Sequence, residues 1–153
     1  MRLLAIDHGE RRIGVAVCDE NATIATPLEV IRRRSKAEDY ARIVRLAREN
    51  DVKGLVIGLP LTADGTEGHQ AQRVRRYAAG LCEALEKVGL DLVIEFWDES
   101  LSTIGANEAM MAAGRGAKAR RARIDAAAAA LILRDYLETR RRSAHPVTVE
   151  DTA

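Results

Sequence analysis

The sequence predicts an α/β protein with a five-stranded mixed sheet, three antiparallel strands followed by strands joined through helices. Three observations carry that prediction. The apolar runs Leu3 to Ile6 and Ile13 to Cys18 are separated only by a polar turn, His8-Gly9-Glu10-Arg11-Arg12, as in a hairpin. The continuous apolar run Gly54 to Gly58 suits a strand covered on both faces. The segments on either side of that run repeat apolar residues at helical spacing, so the second half alternates strand and helix.

Taken in order, the first strand ends at Asp7 and the second is Ile13 to Cys18. Thr23 to Ile31 reads as a third strand, in which Pro27 marks an edge or a bulge. Ser35-Lys36-Ala37-Glu38 has the form of a capping box, and Tyr40, Ile43, Val44 and Ala47 give the helix it opens a buried face. After the strand Gly54 to Gly58, Leu59 to Gly68 is a loop with Pro60 and Asp64-Gly65 as turn signals. Val74, Tyr77, Ala78, Leu81, Leu85 and Val88 mark a long second helix that Gly89 ends. Leu92 to Trp97 is the fifth strand, Thr103 to Ala113 a short third helix stopped by Gly114, and Arg123 to Arg140 the last helix. Residues 1–140 form a single domain, and 141–153 a frayed tail.

Composition bounds the function. A chain of 153 residues with 47% hydrophobic and 31% charged residues is long enough for one real core. The net charge of +1 excludes global electropositivity, so any nucleic-acid surface must be local. Aromatics at 3% argue against a base-stacking platform. Cys18 and Cys82 lack metal-type spacing and read as reduced core residues. Neither a signal peptide nor a membrane span is visible, which predicts a cytoplasmic protein without membrane partners.

Four blocks then stand in order: LLAIDHGERRIGVAV (Leu3 to Val17), VIGLPLTADGTEG (Val56 to Gly68), WDESLST (Trp97 to Thr103) and IDAAAAALIL (Ile124 to Leu133). Together they resemble the YqgF (RuvX-type) family of RNase H-like nucleases. The resemblance covers the chain from Leu3 to about Tyr136. It implies an RNase H-like sheet order and hydrolysis of phosphodiester bonds with Mg²⁺ or Mn²⁺. It also implies a role at the 5′ end of the 16S ribosomal RNA precursor, within ribosome biogenesis. Where the family carries an Arg after its acidic pair, this chain has Ser100, which removes one phosphate contact or one carboxylate-orienting salt bridge.

The candidate catalytic residues are Asp7, Asp98, Glu99 and Asp125. Asp7 ends the first strand, and a carboxylate at the end of a buried strand is costly unless a cation or hydrogen bonds meet it. Asp98 and Glu99 end the fifth strand, and ligands gather outside the carboxyl ends of parallel strands. Asp125 opens the last helix, on a face shared with Ala129, Ile132 and Tyr136 that should pack on the sheet. Its position at a helix N-terminus would offset part of its desolvation, and that dipole effect is also the purely structural account of it. Converging carboxylates repel, and hard divalent ions resolve this. Asp7, Glu99 and Asp125 are therefore the expected metal ligands, with Asp98 orienting the loop. Two such ions about 3.5–4 Å apart suit phosphodiester hydrolysis.

Arg11 and Arg12 flank the first turn, and Arg115, Lys118, Arg120, Arg121 and Arg123 crowd a Gly/Ala stretch leading into Asp125. These seven are the expected nucleic-acid contacts; a solvated connector is the alternative for the second group. Arg140, Arg141 and Arg142 complement a helix C-terminus. The loop up to Gly68 either holds a phosphate at the second helix or is a plain connection capped by Thr66. His8 reads as an exposed turn residue. The expected partner is precursor rRNA or branched DNA. Three functions stay open: a metal-dependent RNA nuclease, a resolvase of four-way DNA junctions, and a non-catalytic binding factor. A single-domain chain disfavours a two-domain ATPase built on a similar hairpin. Monomer and homodimer are both open.

Overall fold

The computed structural model describes residues 1–99 and 117–144, with the side chains of 117–123 and of Ala144 set aside. Its elements are β1 (Leu3–His8), β2 (Arg12–Cys18), β3 (Ala25–Arg32), α1 (Lys36–Glu49), β4 (Gly54–Leu59), α2 (His69–Lys87), β5 (Val93–Asp98) and α3 (Ala117–Ala144). The sheet order is β3-β2-β1-β4-β5. The β1–β2 and β2–β3 pairs are antiparallel, and β1–β4 and β4–β5 are parallel. The expected mixed sheet is thus observed. The edge position of β3 and a register shift opposite Val15/Ala16 account for Pro27, which has no amide to give to a ladder.

Strand alternation sorts the core onto two faces. On one, Leu4, Ile6, Ile13, Val15, Leu55 and Ile57 pack against α1 and α2 through residues such as Ile43, Leu81 and Leu85. On the other, Leu3, Ala5, Ala16, Cys18 and Val56 pack against Ala129, Ile132, Leu133 and Tyr136 of α3. The small side chains on this second face let a long helix lie close to the sheet. In α1 the Ser35 hydroxyl accepts from the Glu38 amide at 3.1 Å, the N-cap half of the expected capping box.

Four sequence expectations change. The last helix begins at Ala117 rather than Arg123 and continues through Ala144 past the boundary set at Arg140. Ala117–Arg123 holds only alanine, lysine and arginine, strong helix formers, and the charge run concealed that propensity. Asp125 therefore lies well inside the helix, and the dipole argument for it falls. Cys82 is half-exposed, because Leu81 and Leu85 take the buried face of α2 and the next position rotates off it. Thr66 does not cap α2; Gly68 stands at the cap, and the Thr66 hydroxyl bonds Asp64 at 2.7 Å. The expected helix over Thr103 to Ala113, Gly114, Arg115, Ser100 and the end of the tail lie outside the described residues. Among the described residues, no helix is long and apolar enough to cross a membrane.

Candidate active site

The site is built by parity. Along β1, Leu3, Ala5 and Asp7 face α3, while Leu4 and Ile6 face the other helices. Along β5, Glu95 bonds the Tyr136 hydroxyl and Trp97 meets the Tyr136 ring edge-on at 5.7 Å, so their face is the α3 face. Two residues on, Glu99 extends the same side, and its amide reaches the Leu59 carbonyl at 3.5 Å. Asp98 has the opposite parity and is exposed. Alternation, a rule available from sequence, thus separates the acidic pair.

Two glycines open the space. Gly14 is the β2 partner of Asp7. A Cβ on Gly14 would stand 1.9 Å from the Asp125 carbonyl oxygen, so only glycine lets the α3 backbone settle there. A Cβ on Gly58 would stand 2.3 Å from a Glu99 carboxyl oxygen. One glycine seats the helix carrying Asp125, and the other cradles the Glu99 carboxyl beside the sheet. Gly14 carried no sequence signal as a site residue, although its pairing with Asp7 across a short hairpin could have supplied one.

The Asp7 and Glu99 carboxyls share a hydrogen bond. Burial, then the charge of Asp7, pushes Glu99 up to about 9. Burial also raises Asp7; the bond from Glu99 works against this, and the nearby Asp125 charge adds to it. Glu99 therefore keeps its proton at neutral pH and donates it to the Asp7 carboxylate. Asp125 stands close enough to act on Asp7, yet its Oδ2 accepts from Arg12 Nε at 2.6 Å. Among the described residues no three acidic, histidine or cysteine side chains converge closely enough to hold an ion as they stand. Two carboxyls bond one another, and the third is held by an arginine.

His8 has the other parity and is not an exposed turn residue. Its ring lies 4.4 Å from that of Tyr77, and Arg33 Nη1 donates to His8 Nε2 at 3.0 Å and to the Gly9 carbonyl at 2.9 Å. Burial, then Arg33, lowers His8 to about 4, so it is neutral and can accept that bond. Arg33 Nε reaches the buried Asp39 of α1 at 2.9 Å. This strut braces the turn after Asp7, and sequence reasoning missed it. A buried acid in the first turn of α1 resembles any helix-start acid until the packing is known.

Beside Glu99, a cavity of about 140 Å³ is lined by His8, Glu10, Pro60, Gln70 and Arg73. A Glu10–Arg73 ion pair of 3.0 Å belongs to the same rim. A larger groove of about 710 Å³ lies between α1 and α2, away from the carboxylates. It is apolar and has no link to the acidic chemistry, whereas a polymer backbone can be met at a shallow edge. Arg11 is exposed beside the site. Lys118, Arg120, Arg121 and Arg123 lie on α3 ahead of Asp125, with their side chains outside the described set.

Solved structures similar in form include junction resolvases. RuvC of Thermus thermophilus bound to a Holliday junction matches with a TM-score of 0.55 at 16% identity, covering 92% of this chain and 96% of that one. The yeast mitochondrial Holliday junction resolvase Ydc2 matches with a TM-score of 0.59 at 10% identity, covering 94% and 80%. These likenesses show an RNase H-like fold. A family model described as "RuvX: Holliday junction resolvase" matches residues 1–139. A Syntrophus aciditrophicus protein is 42% identical over 138 residues, 90% of this chain and 89% of its own. One from Anaeromyxobacter dehalogenans is 41% identical over 140 residues, 92% and 98%. Both carry the name "Putative pre-16S rRNA nuclease". Fold and relatives together define a nuclease, a hydrolase of phosphodiester bonds. The chain belongs to the RuvX family.

Proposed function

We propose that this chain is a divalent-metal-dependent nuclease of structured RNA that trims the 5′ end of the 16S ribosomal RNA precursor in the cytoplasm. The observation that carries the chemistry is the proton-sharing Asp7–Glu99 pair at the sheet edge, with Asp125 beside it. The names of relatives at about 40% identity support the substrate.

The residues fit Mg²⁺ or Mn²⁺. Their donors are hard carboxylate oxygens, and the raised Asp7 and Glu99 mark a buried pocket short of positive charge. Asp7, Glu99 and Asp125 would hold the ion, and Asp98 would remain at the rim. A bound ion supplies charge that makes water nucleophilic and steadies the leaving oxygen. The protein contributes the rest. Gly14 and Gly58 set the depth of the carboxylates, and Arg33 holds the turn carrying Asp7 through its bonds to Gly9 and His8. Glu99 would hold such an ion in its ionised form, giving up the proton it shares with Asp7. Arg11, Arg12 and the basic start of α3, preceded by Arg115, would contact the phosphate backbone.

Purified protein incubated with Mn²⁺ or Mg²⁺ and precursor rRNA, with cut ends mapped, tests this reading. Asp7→Asn and Asp125→Asn should each abolish cleavage in folded protein, and excess chelator should stop it. Wild-type rates in both variants, or undiminished cleavage in chelator, would refute the metal-ligand roles. The family description also favours a second reading, resolution of four-way DNA junctions. That reading requires a symmetric dimer with paired sites. Side-by-side cleavage of precursor RNA and a four-way junction separates the two.

A further inference from the structure

We propose that Arg12 is a positioning residue that exchanges partners, holding Asp125 while the metal is absent and turning to a substrate phosphate once the metal claims that carboxylate. This rests on the metal-dependent nuclease reading above. Four observations support it. Arg12 Nε lies 2.6 Å from Asp125 Oδ2, a charge-assisted bond. Their side chains remain 32% and 24% exposed, so the pair stands at the opening of the site and can part without unfolding anything. Gly14 lets the α3 backbone at Asp125 lie against β2, which sets its carboxylate within reach of Arg12 on the same strand. Gly14 is also the β2 partner of Asp7, so Asp125 stands beside the strand pair that carries Asp7, and its charge acts on that carboxyl.

Electrostatics favours the exchange. A carboxylate oxygen that accepts from a guanidinium at 2.6 Å is poorly placed to ligate a cation at the same time, because the two positive charges repel. Whichever cation leaves, the other neutralises Asp125. A guanidinium released beside the site is well shaped for phosphate, which it can grip through paired N–H donors. Metal and nucleic acid should therefore help each other to bind, with a coupling of roughly 5–150-fold if it falls in the range usual for linked sites. Because linkage is reciprocal, bound RNA should raise metal affinity by the same factor.

A double-substitution cycle on the full chain, read by binding rather than turnover, tests this. In calorimetric Mn²⁺ titrations without RNA, Arg12→Gln should tighten binding roughly fivefold or more. The same change in an Asp125→Asn background should do much less. In chelator, Asp125→Asn should strengthen binding of a labelled RNA hairpin by freeing Arg12, and that gain should vanish when Arg12→Gln is added. Unchanged or weaker Mn²⁺ binding by Arg12→Gln would overturn the exchange. So would gains of equal size in both backgrounds, which would report only general charge repulsion. If Arg12→Gln fails to fold, the RNA arm decides with Asp125→Asn alone, and no gain in metal-free affinity overturns the proposal. A wild-type protein that binds no Mn²⁺ would overturn this inference and the metal-dependent reading together; failure of the cycle with Mn²⁺ bound overturns the exchange alone.

Discussion

Glu99 stores the site's unmet demand for positive charge in a proton. Its folded value, raised to about 9, lies above the ordinary 4.5. A group raised on folding contributes stability that is present below its unfolded value and is lost as pH rises through the folded one. The metal-free protein should therefore lose stability as pH rises from 4.5 to about 9, and Glu99→Gln should flatten that slope. His8, lowered from 6.5 to about 4, costs stability only as pH falls below 6.5, so the range above 6.5 is free of it and reports the Asp7–Glu99 pair. Thermal melts across that upper range in chelator check it; equal slopes in both proteins would mean that Glu99 is ionised at neutrality. At Gly58 the obstructing atom is the end of a side chain, whereas at Gly14 it is backbone. Gly14→Ala should thus cost about 3 kcal/mol in urea denaturation, the upper end for overpacking. Gly58→Ala should cost less than that and act mainly on cleavage, by displacing Glu99.

Among the elements, the hairpin β1–β2, the ends of β4 and β5 and the helix α3 carry the candidate site, and α1 stabilises it from behind. The Arg33–Asp39 pair links α1 to the turn beyond Asp7, and Asp39 is 1% exposed. Removing one partner of a buried pair leaves an uncompensated charge and typically costs about 3–5 kcal/mol. Asp39→Ala should reach that range. Lys53→Ala, whose 3.0 Å pair with Asp51 is mostly exposed, should cost less than about 1 kcal/mol. Chemical denaturation of both variants gives the comparison, and similar losses would mean that the buried pair adds nothing beyond a surface one. The hairpin was legible in the sequence because alternation and a short polar turn are local signals. The start of α3 was not, because a run of arginines looked like a connector although its intrinsic preference is helical.

For the whole molecule, a net charge of +1 means that a polyanion must be met by a patch. Arg11, Arg12 and the basic first turns of α3, the proposed patch, share the chain with 23 acidic residues, so such a patch would work through position and not through excess. Replacing Arg120, Arg121 and Arg123 together with alanine should weaken RNA binding. The slope of log affinity against log salt should fall by roughly 0.7–0.9 for each phosphate that is no longer neutralised. Binding measured across a salt series checks this, and an unchanged slope would return these arginines to a solvated role. The apolar groove between α1 and α2 lies apart from this chemistry.

Taken alone, the chain of residues determined the mixed sheet, the helix periods and the acids at the strand ends, because each is written in spacings of two to four positions. It also singled out Asp7 and, through parity, held the means to prefer Glu99 over Asp98. Only the folded molecule decided that Arg12 lies against Asp125, that Glu99 rests on Gly58 and that Arg33 braces the turn after Asp7. Those interactions join residues far apart in the chain. Their geometry depends on how closely a helix can approach a sheet at a missing Cβ, a distance that no local pattern encodes.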